Sequence, residues 1–331
     1  MSDQRDLVWP RGRLTVQRLG AMLGPVEFHL PDGPTVSPLH VAPWADEGGS
    51  DALPGILQRL RGEWPCVPFG APRVLPLQGD WAELLPEGAT DHPHGPSSNL
   101  NWDWLAAPDG ELRLALDYPP DHPIRRVERH IRPDPDACLI HLTLIIHPRA
   151  DCTLPIGLHP VFRLPYARGT VRLDVGPCQG VLTFPCQAEP GVSAFAPARQ
   201  VPGLDGIPLT AGGQIDATRL PLPSATEELV QVIGASGRVR LHHDGWFAEL
   251  AWDREHFPSL MLWLSNRGRQ GFPWNGRHLA LGVEPVCSAF DLGTTISAGQ
   301  NPISTQGVPT AQVFRAGKVF STAYSIGAHP G

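Results

Sequence analysis

The sequence predicts an all-β fold, a large antiparallel β-sandwich with few short helices, and three observations predict it. Apolar and polar residues alternate over several short runs, which is the period of a half-buried strand. Glycine (35) and proline (38) are frequent and spread along the whole chain, so turns recur throughout instead of collecting in a linker. Helical spacing occurs over one short stretch only. With 331 residues, no composition break and no visible repeat, we expect one large β domain over 1–331.

The elements follow in order. Residues 1–12 read as a loose tail. Leu14-Thr15-Val16 and Val26-Glu27-Phe28-His29-Leu30 read as early strands, with Pro31-Asp32-Gly33 as a turn. After Ser50, Leu53, Ile56, Leu57 and Leu60 share a helical face, and Pro54 restricts this helix to a first-turn start. This short helix or turn delivers Arg61-Gly62-Glu63-Trp64-Pro65-Cys66-Val67-Pro68-Phe69-Gly70, and a loop follows at Asp91-His92-Pro93-His94-Gly95. From about residue 100 the pattern is strongly β. Leu112, Leu114 and Leu116 alternate with polar neighbours, as do Val127, Arg129 and Ile131, while Ile140, Leu142, Leu144 and Ile146 form an apolar face. Residues 239–252 and 258–265 carry two more runs. The segment 187–215 is loop-rich, and 313–320 reads as a final hairpin. The apolar segment 279–283 reads as a strand that ends on Glu284. Pro285 then forces Glu284 into extended backbone and removes one ladder donor.

Composition excludes several functions. A net charge of -7 and a pI near 6.0, with no basic block, exclude nucleic acid and anionic membrane surfaces as partners. Lys318 is the only lysine, which removes a phosphate-loop lysine and Schiff-base chemistry. None of the six cysteines forms a CxxC pair, so they read as reduced core residues. The polar start lacks an apolar signal region, and the run 139–146 is too short to span a bilayer. We therefore expect a soluble, cytoplasmic protein. There is no GxGxxG, no phosphate loop and no GxSxG elbow around Ser97 and Ser98.

The chemistry-bearing residues are few. Taken alone, Glu284 reads as a rim glutamate. Taken alone, His159 in Leu154-Pro155-Ile156-Gly157-Leu158-His159-Pro160 reads as a core histidine. His92, His94 and His159 could converge on a metal, but His92 and His94 are two apart and form no helix-spaced pair, so no metal site is expected. Asp91, Asp103 and Glu284 could form a glycosidase pair, whose separation the sequence does not show. Trp102, Trp104, Trp246 and Trp274 offer flat platforms for a sugar ring, at least half of them as ordinary core. Trp274 is the best placed, because it leads into the Glu284 strand.

Four motifs occur in order: Arg61-Gly62 leading into the Phe69-Gly70 turn, His94-Gly95, Gly157-Leu158-His159-Pro160-Val161-Phe162, and Gly282-Val283-Glu284-Pro285. Together they resemble the galactose mutarotase (aldose 1-epimerase) superfamily, closest in style to its hexose-6-phosphate-mutarotase-like branch, over roughly residues 14–325. The resemblance implies the β-supersandwich of that family and interconversion of the α and β anomers of an aldose, with no cofactor. It implies that His159 is the general acid at the sugar ring oxygen and Glu284 the general base at the anomeric hydroxyl. His94 matches the second histidine, Arg61 an arginine of the sugar pocket, and Glu227 the aspartate that usually holds sugar hydroxyls. Glu227 is a departure by one methylene. A second departure is Pro96-Ser97-Ser98 where the branch has Phe-Ala-Arg, which bears on whether the sugar is phosphorylated. Monomer and homodimer both stay open.

The implied chemistry suits these residue types. Ring opening removes a proton from one oxygen and supplies one to another, which a carboxylate and an imidazolium do without covalent chemistry. We expect His159 to keep its proton near neutral pH, helped by a neighbouring carboxylate. The alternatives are a non-catalytic carbohydrate-binding or sensing protein, and lyase or glycosidase action on the same fold.

Overall fold

The computed structural model describes every residue except Met1, Asp32 and Asp91. Part of the predicted turn at Pro31-Asp32-Gly33, and Asp91 of the weighed glycosidase pair, therefore lie outside the described residues.

Two large antiparallel sheets dominate. The first runs in the order Gln200–Val201, Gly180–Thr183, Thr226–Ile233, Ser259–Asn266, Leu279–Cys287, Ile156–Leu158 and Pro65–Cys66, and Val161–Arg163 also pairs with Leu279–Cys287. The second runs Arg219–Leu220, Val171–Asp174, Arg238–His242, Trp246–Trp252, Phe320–Pro330, Leu139–Pro148, Ile124–Pro133, Leu112–Asp117 and Asp103–Trp104. A four-stranded sheet at the N-terminal end begins with Gln4–Trp9 paired to Gly12–Gln17. The expected loose tail is thus mostly a strand. Its pairing partner supplies the order that its polar composition hid.

The two sheets differ in what they bury. Leu139–Pro148 alternates between buried and half-buried residues, as a strand with one wetter face does. Thr226–Ile233, Ser259–Asn266 and Leu279–Cys287 are buried at every position, so both faces of the first sheet are covered. Val230, Leu262, Leu281 and Val283 face the core shared with the second sheet. Leu229, Met261, Trp263, Ala280 and Val286 face the other way, into a second core closed by the long connections 41–100 and 288–308. The candidate site lies on that second face.

One further expectation is corrected, and two are borne out. The stretch after Ser50, expected as a short helix or turn, forms two 3-10 turns, Ser50–Ala52 and Gly55–Gln58; Pro54 stands between them and its missing N–H cannot continue a ladder. Residues 313–320 are not a hairpin. Gln312–Phe314 pairs with Cys152–Leu154, and Phe320–Pro330 pairs with Leu139–Pro148 and Trp246–Trp252. Trp102 and Trp104 are core residues, and Trp246 packs against the same core. All six cysteines are free. No helix among the described residues is long and apolar enough to cross a membrane.

Candidate active site

The site is a transverse row of the first sheet. Gly157 is opposite Val286 and Val161 is opposite Gly282, so His159, midway between them, faces Glu284. Ladder pairing is interrupted between those two points. Val283 donates its N–H to the Pro160 carbonyl at 2.8 Å; strand alternation turns the Pro285 nitrogen to the same side, where it has no hydrogen to give. Two imino acids thus open the ladder where the histidine and the carboxylate meet. On the far side Glu284 is paired with Met261, which is paired with Gln231. On the near side the His159 N–H donates to the Trp64 carbonyl at 2.9 Å, and the Trp64 ring stacks on the imidazole at 4.2 Å and 20°.

His159 Nε2 lies 3.5 Å from Glu284 Oε1. Both Glu284 oxygens and His159 Nδ1 are buried with no hydrogen-bond partner among the described residues. Gly282 makes the room. A Cβ there would collide with Glu284 Oε1 and lie 2.9 Å from Trp263 Cβ.

His94 approaches from another element. It precedes the short helix Gly95–Asn99 with φ 61°, in the left-handed region, and Gly95 follows with φ 79°. A side chain at Gly95 would strike the Val67 carbonyl, so glycine is required there. This turn sets the His94 ring edge-on to His159 at 5.1 Å and against Phe69 at 4.9 Å.

His94, His159, Glu284 and Trp274 line one cavity of about 390 Å³, together with Trp64, Arg73, Trp263, Arg269 and Asp291. Four of the six predicted site residues therefore meet in one place.

Arg61 does not. Its guanidinium donates to Asp46 at 2.7 Å and to the Arg59 carbonyl at 3.0 Å, in a separate depression beside Asp51 and Arg59. The left-handed turn at Gly62 (φ 59°) carries the chain from that depression to the Trp64 row. Glu227 does not line the cavity either. It is buried behind the wall, where Trp263 Nε1 donates to Oε1, Ser265 donates to Oε2 at 3.0 Å, and Arg269 Nη1 lies 3.4 Å away. It sits opposite Ser265 on the sheet, and its carboxylate is already occupied by the residues that form the wall.

Sequence reasoning missed Arg73, Trp263, Arg269 and Asp291. Arg73 and Arg269 come from irregular loops and Asp291 from the turn after the Glu284 strand, where spacing carries no signal. Trp263 was detectable in part, since it stands in the continuous apolar run 260–264, which marks a buried strand without saying which face lines a cavity.

Electrostatics departs from expectation. Burial pushes the Glu284 carboxyl well above its usual range, and the neighbouring Asp291 pushes it further. Burial pulls His159 well below the usual imidazole value, and His94 adds to this. Burial takes His94 down to about 4, with Arg73 contributing. His159 is thus not the standing imidazolium that a neighbouring carboxylate would favour. An isolated buried ion is penalised by several kcal/mol, and a single 3.5 Å contact between unsupported groups does not offset two such penalties. Burial therefore pushes both groups toward their neutral forms, a protonated Glu284 beside an uncharged His159.

The chain matches no protein-family model, and no curated protein matches it in sequence. Solved structures do match in shape. A candidate aldose 1-epimerase of Escherichia coli K12 is 15% identical, with 99% of each chain covered and a TM-score of 0.66. The Slr1438 protein of Synechocystis sp. PCC 6803 is 14% identical, with 99% of this chain and 96% of that one covered and a TM-score of 0.66. A GalM/aldose epimerase homologue of C. elegans is 11% identical, with 100% and 99% covered and a TM-score of 0.62. The chain shares the galactose mutarotase-like fold with them.

Proposed function

We propose that the protein is a cofactor-independent aldose 1-epimerase, interconverting the α and β anomers of an aldose by acid–base ring opening and closure. The observation that carries this reading is the facing pair of His159 and Glu284, 3.5 Å apart on the cavity wall, with neither carboxylate oxygen hydrogen-bonded among the described residues. A buried carboxylate without donors is expensive, and a sugar hydroxyl is a donor it can use.

The steps follow from the proton count. A neutral histidine beside a protonated carboxyl carries the same single proton as an imidazolium beside a carboxylate, so one internal transfer gives the reactive form. Glu284 then accepts the proton of the anomeric hydroxyl while His159 protonates the ring oxygen, and the hemiacetal opens to the aldehyde. Rotation about the C1–C2 bond presents the other carbonyl face. Reversal of both transfers closes the ring as the opposite anomer and restores the pair. His94, edge-on to His159 and held neutral by burial, orients the imidazole and the ring oxygen without adding charge. Trp64 backs the imidazole. Trp263 and Trp274 give an apolar wall against which the sugar's C–H faces pack.

Saturation-transfer NMR on a panel of aldoses tests the reading. The wild-type protein is expected to accelerate anomer exchange of at least one aldose. Binding without acceleration across the panel would favour a carbohydrate-binding protein.

A further inference from the structure

The cavity holds a second carboxylate, set as firmly as Glu284. Asp291 lies in the turn after the strand Leu279–Cys287 and is buried against the cavity. The buried Gln231 side chain holds this turn from two sides: it donates to the Ser288 carbonyl at 2.7 Å and accepts from the Phe290 N–H at 2.6 Å. The Ala71 N–H donates to the Asp291 carbonyl at 2.9 Å. Phe290 adopts φ 48°, an unfavourable left-handed conformation for a bulky residue, which persists only where the surroundings over-determine it. Its ring is held between Trp81 and Phe184 at 5.5 and 5.3 Å. The strain turns the next residue into the cavity.

Arg73 lines the same cavity, and its Nη1 is 3.7 Å from Asp291 Oδ2. That is too long for a hydrogen bond. Arg73 Nη2 donates to the Ala188 carbonyl at 3.2 Å, which anchors the guanidinium and leaves Nη1 beside Asp291 without closing on it. Arg269, the other guanidinium of the cavity, is already engaged: Glu189 lies 3.1 Å from its Nε, Glu227 lies 3.4 Å from its Nη1, and its plane covers Trp274 at 4.7 Å. Glu227, where the resemblance placed hydroxyl recognition, is occupied behind the wall.

A sugar hydroxyl both donates and accepts. Neighbouring hydroxyls can donate a hydrogen bond to Asp291 and accept one from Arg73, and hydrogen bonds to charged groups are the stronger kind. Burial raises the Asp291 carboxyl while the facing Arg73 lowers it, and an anionic substituent would compete with Asp291 for that one guanidinium, 3.7 Å away. We propose that Asp291 and Arg73 form the hydroxyl-reading subsite of this cavity, and that the substrate is a neutral, unphosphorylated aldose. This rests on the epimerase reading above.

The test compares wild type, Asp291→Asn and Arg73→Gln on neutral aldoses, their 6-phosphates and a monodeoxy series. Exchange rates are read by NMR, and the fold is checked by circular dichroism. Wild type is expected to favour a neutral aldose over its 6-phosphate. Asp291→Asn is expected to raise KM roughly ten- to a hundredfold, the effect of losing a hydrogen bond to a charged group, with a smaller change in kcat. One deoxy sugar, lacking the hydroxyl that is read, should lose nothing further in the variant. A preference for the 6-phosphate, or an equal loss on every sugar including all deoxy forms, overturns the assignment. If wild type accelerates no sugar, the epimerase reading fails by itself. Binding then decides the subsite: neutral-aldose binding weakened by Asp291→Asn keeps it, and unchanged binding removes it. Should Asp291→Asn fail to fold, Arg73→Gln carries the same comparison.

Discussion

In the proposed mechanism Glu284 and His159 share one proton, and the pH dependence follows from where each would gain or lose it. Adding a second proton charges His159. Burial and His94 make that harder, so it occurs well below the ordinary value of 6.5. Removing the last proton ionises Glu284. Burial and Asp291 make that harder too, so it occurs well above 4.5. Burial therefore widens, at both ends, the pH range of the one-proton form from which the reactive arrangement is reached by internal transfer. In a profile of kcat/KM, which reports the free enzyme, the acid limb should fall below pH 6.5. An acid limb at or above 6.5 would mean that His159 titrates as an ordinary imidazole, contrary to its burial. At this scale the sequence was partly legible. His159-Pro160 and Glu284-Pro285 stood out as residues, but each alone read as a bland core or rim position. Their protonation was not legible, because it depends on burial and on neighbours such as Asp291 that only the fold brings near.

The strand Leu279–Cys287 shows how an element makes the site. Its alternation sends Leu279, Leu281 and Val283 into one core and Ala280 and Val286 into the other, and Glu284 shares the face of the second group. Gly282, two residues before, leaves the space that the carboxylate occupies. Gly282→Ala should push Glu284 or Trp263 aside while leaving the strand paired. Anomer exchange is expected to fall at least about tenfold, since misplacement by an ångström is enough to cost a hundredfold in a positioned reaction, and the thermal midpoint should drop by only a few degrees. Wild-type exchange in a folded Gly282→Ala protein would show that Glu284 need not sit there. The period-two strands were legible in the sequence, because each alternates over its own length. The strand Gln4–Trp9 was not. Its residues are mostly exposed, so its order comes from pairing with Gly12–Gln17 and leaves no apolar pattern. Gln312–Phe314 was assigned to the wrong partner for a related reason: pairing across the chain, to Cys152–Leu154, has no local signature.

Across the whole molecule, the first sheet is buried on both faces, and this places a polar row deep in the protein. The second sheet also reaches the site through one buried network. Arg129 crosses the core to Glu63, which also accepts from Tyr324 at 2.8 Å. Glu63 immediately precedes Trp64, the ring stacked on His159. The sandwich class was readable from turns and alternation. The second core was not, because it is closed by the irregular connections that supply Arg73 and Asp291. The misplacement of Arg61 and Glu227 has the same origin: a motif assigns a residue type to a position, while Asp46, Trp263 and Ser265 decide where its side chain ends.

The central claim is that His159 and Glu284 act as a unit on one proton. Its most direct test is the anomer-exchange rate of His159→Asn, Glu284→Gln and the double variant, on whichever aldose wild type accelerates most, with sugar binding measured alongside. Each single variant should lose about a hundredfold or more, the double should be no worse than the singles, as for residues that work together, and binding should persist. A single variant that keeps more than about a tenth of the wild-type rate, against the hundredfold expected, would contradict the account.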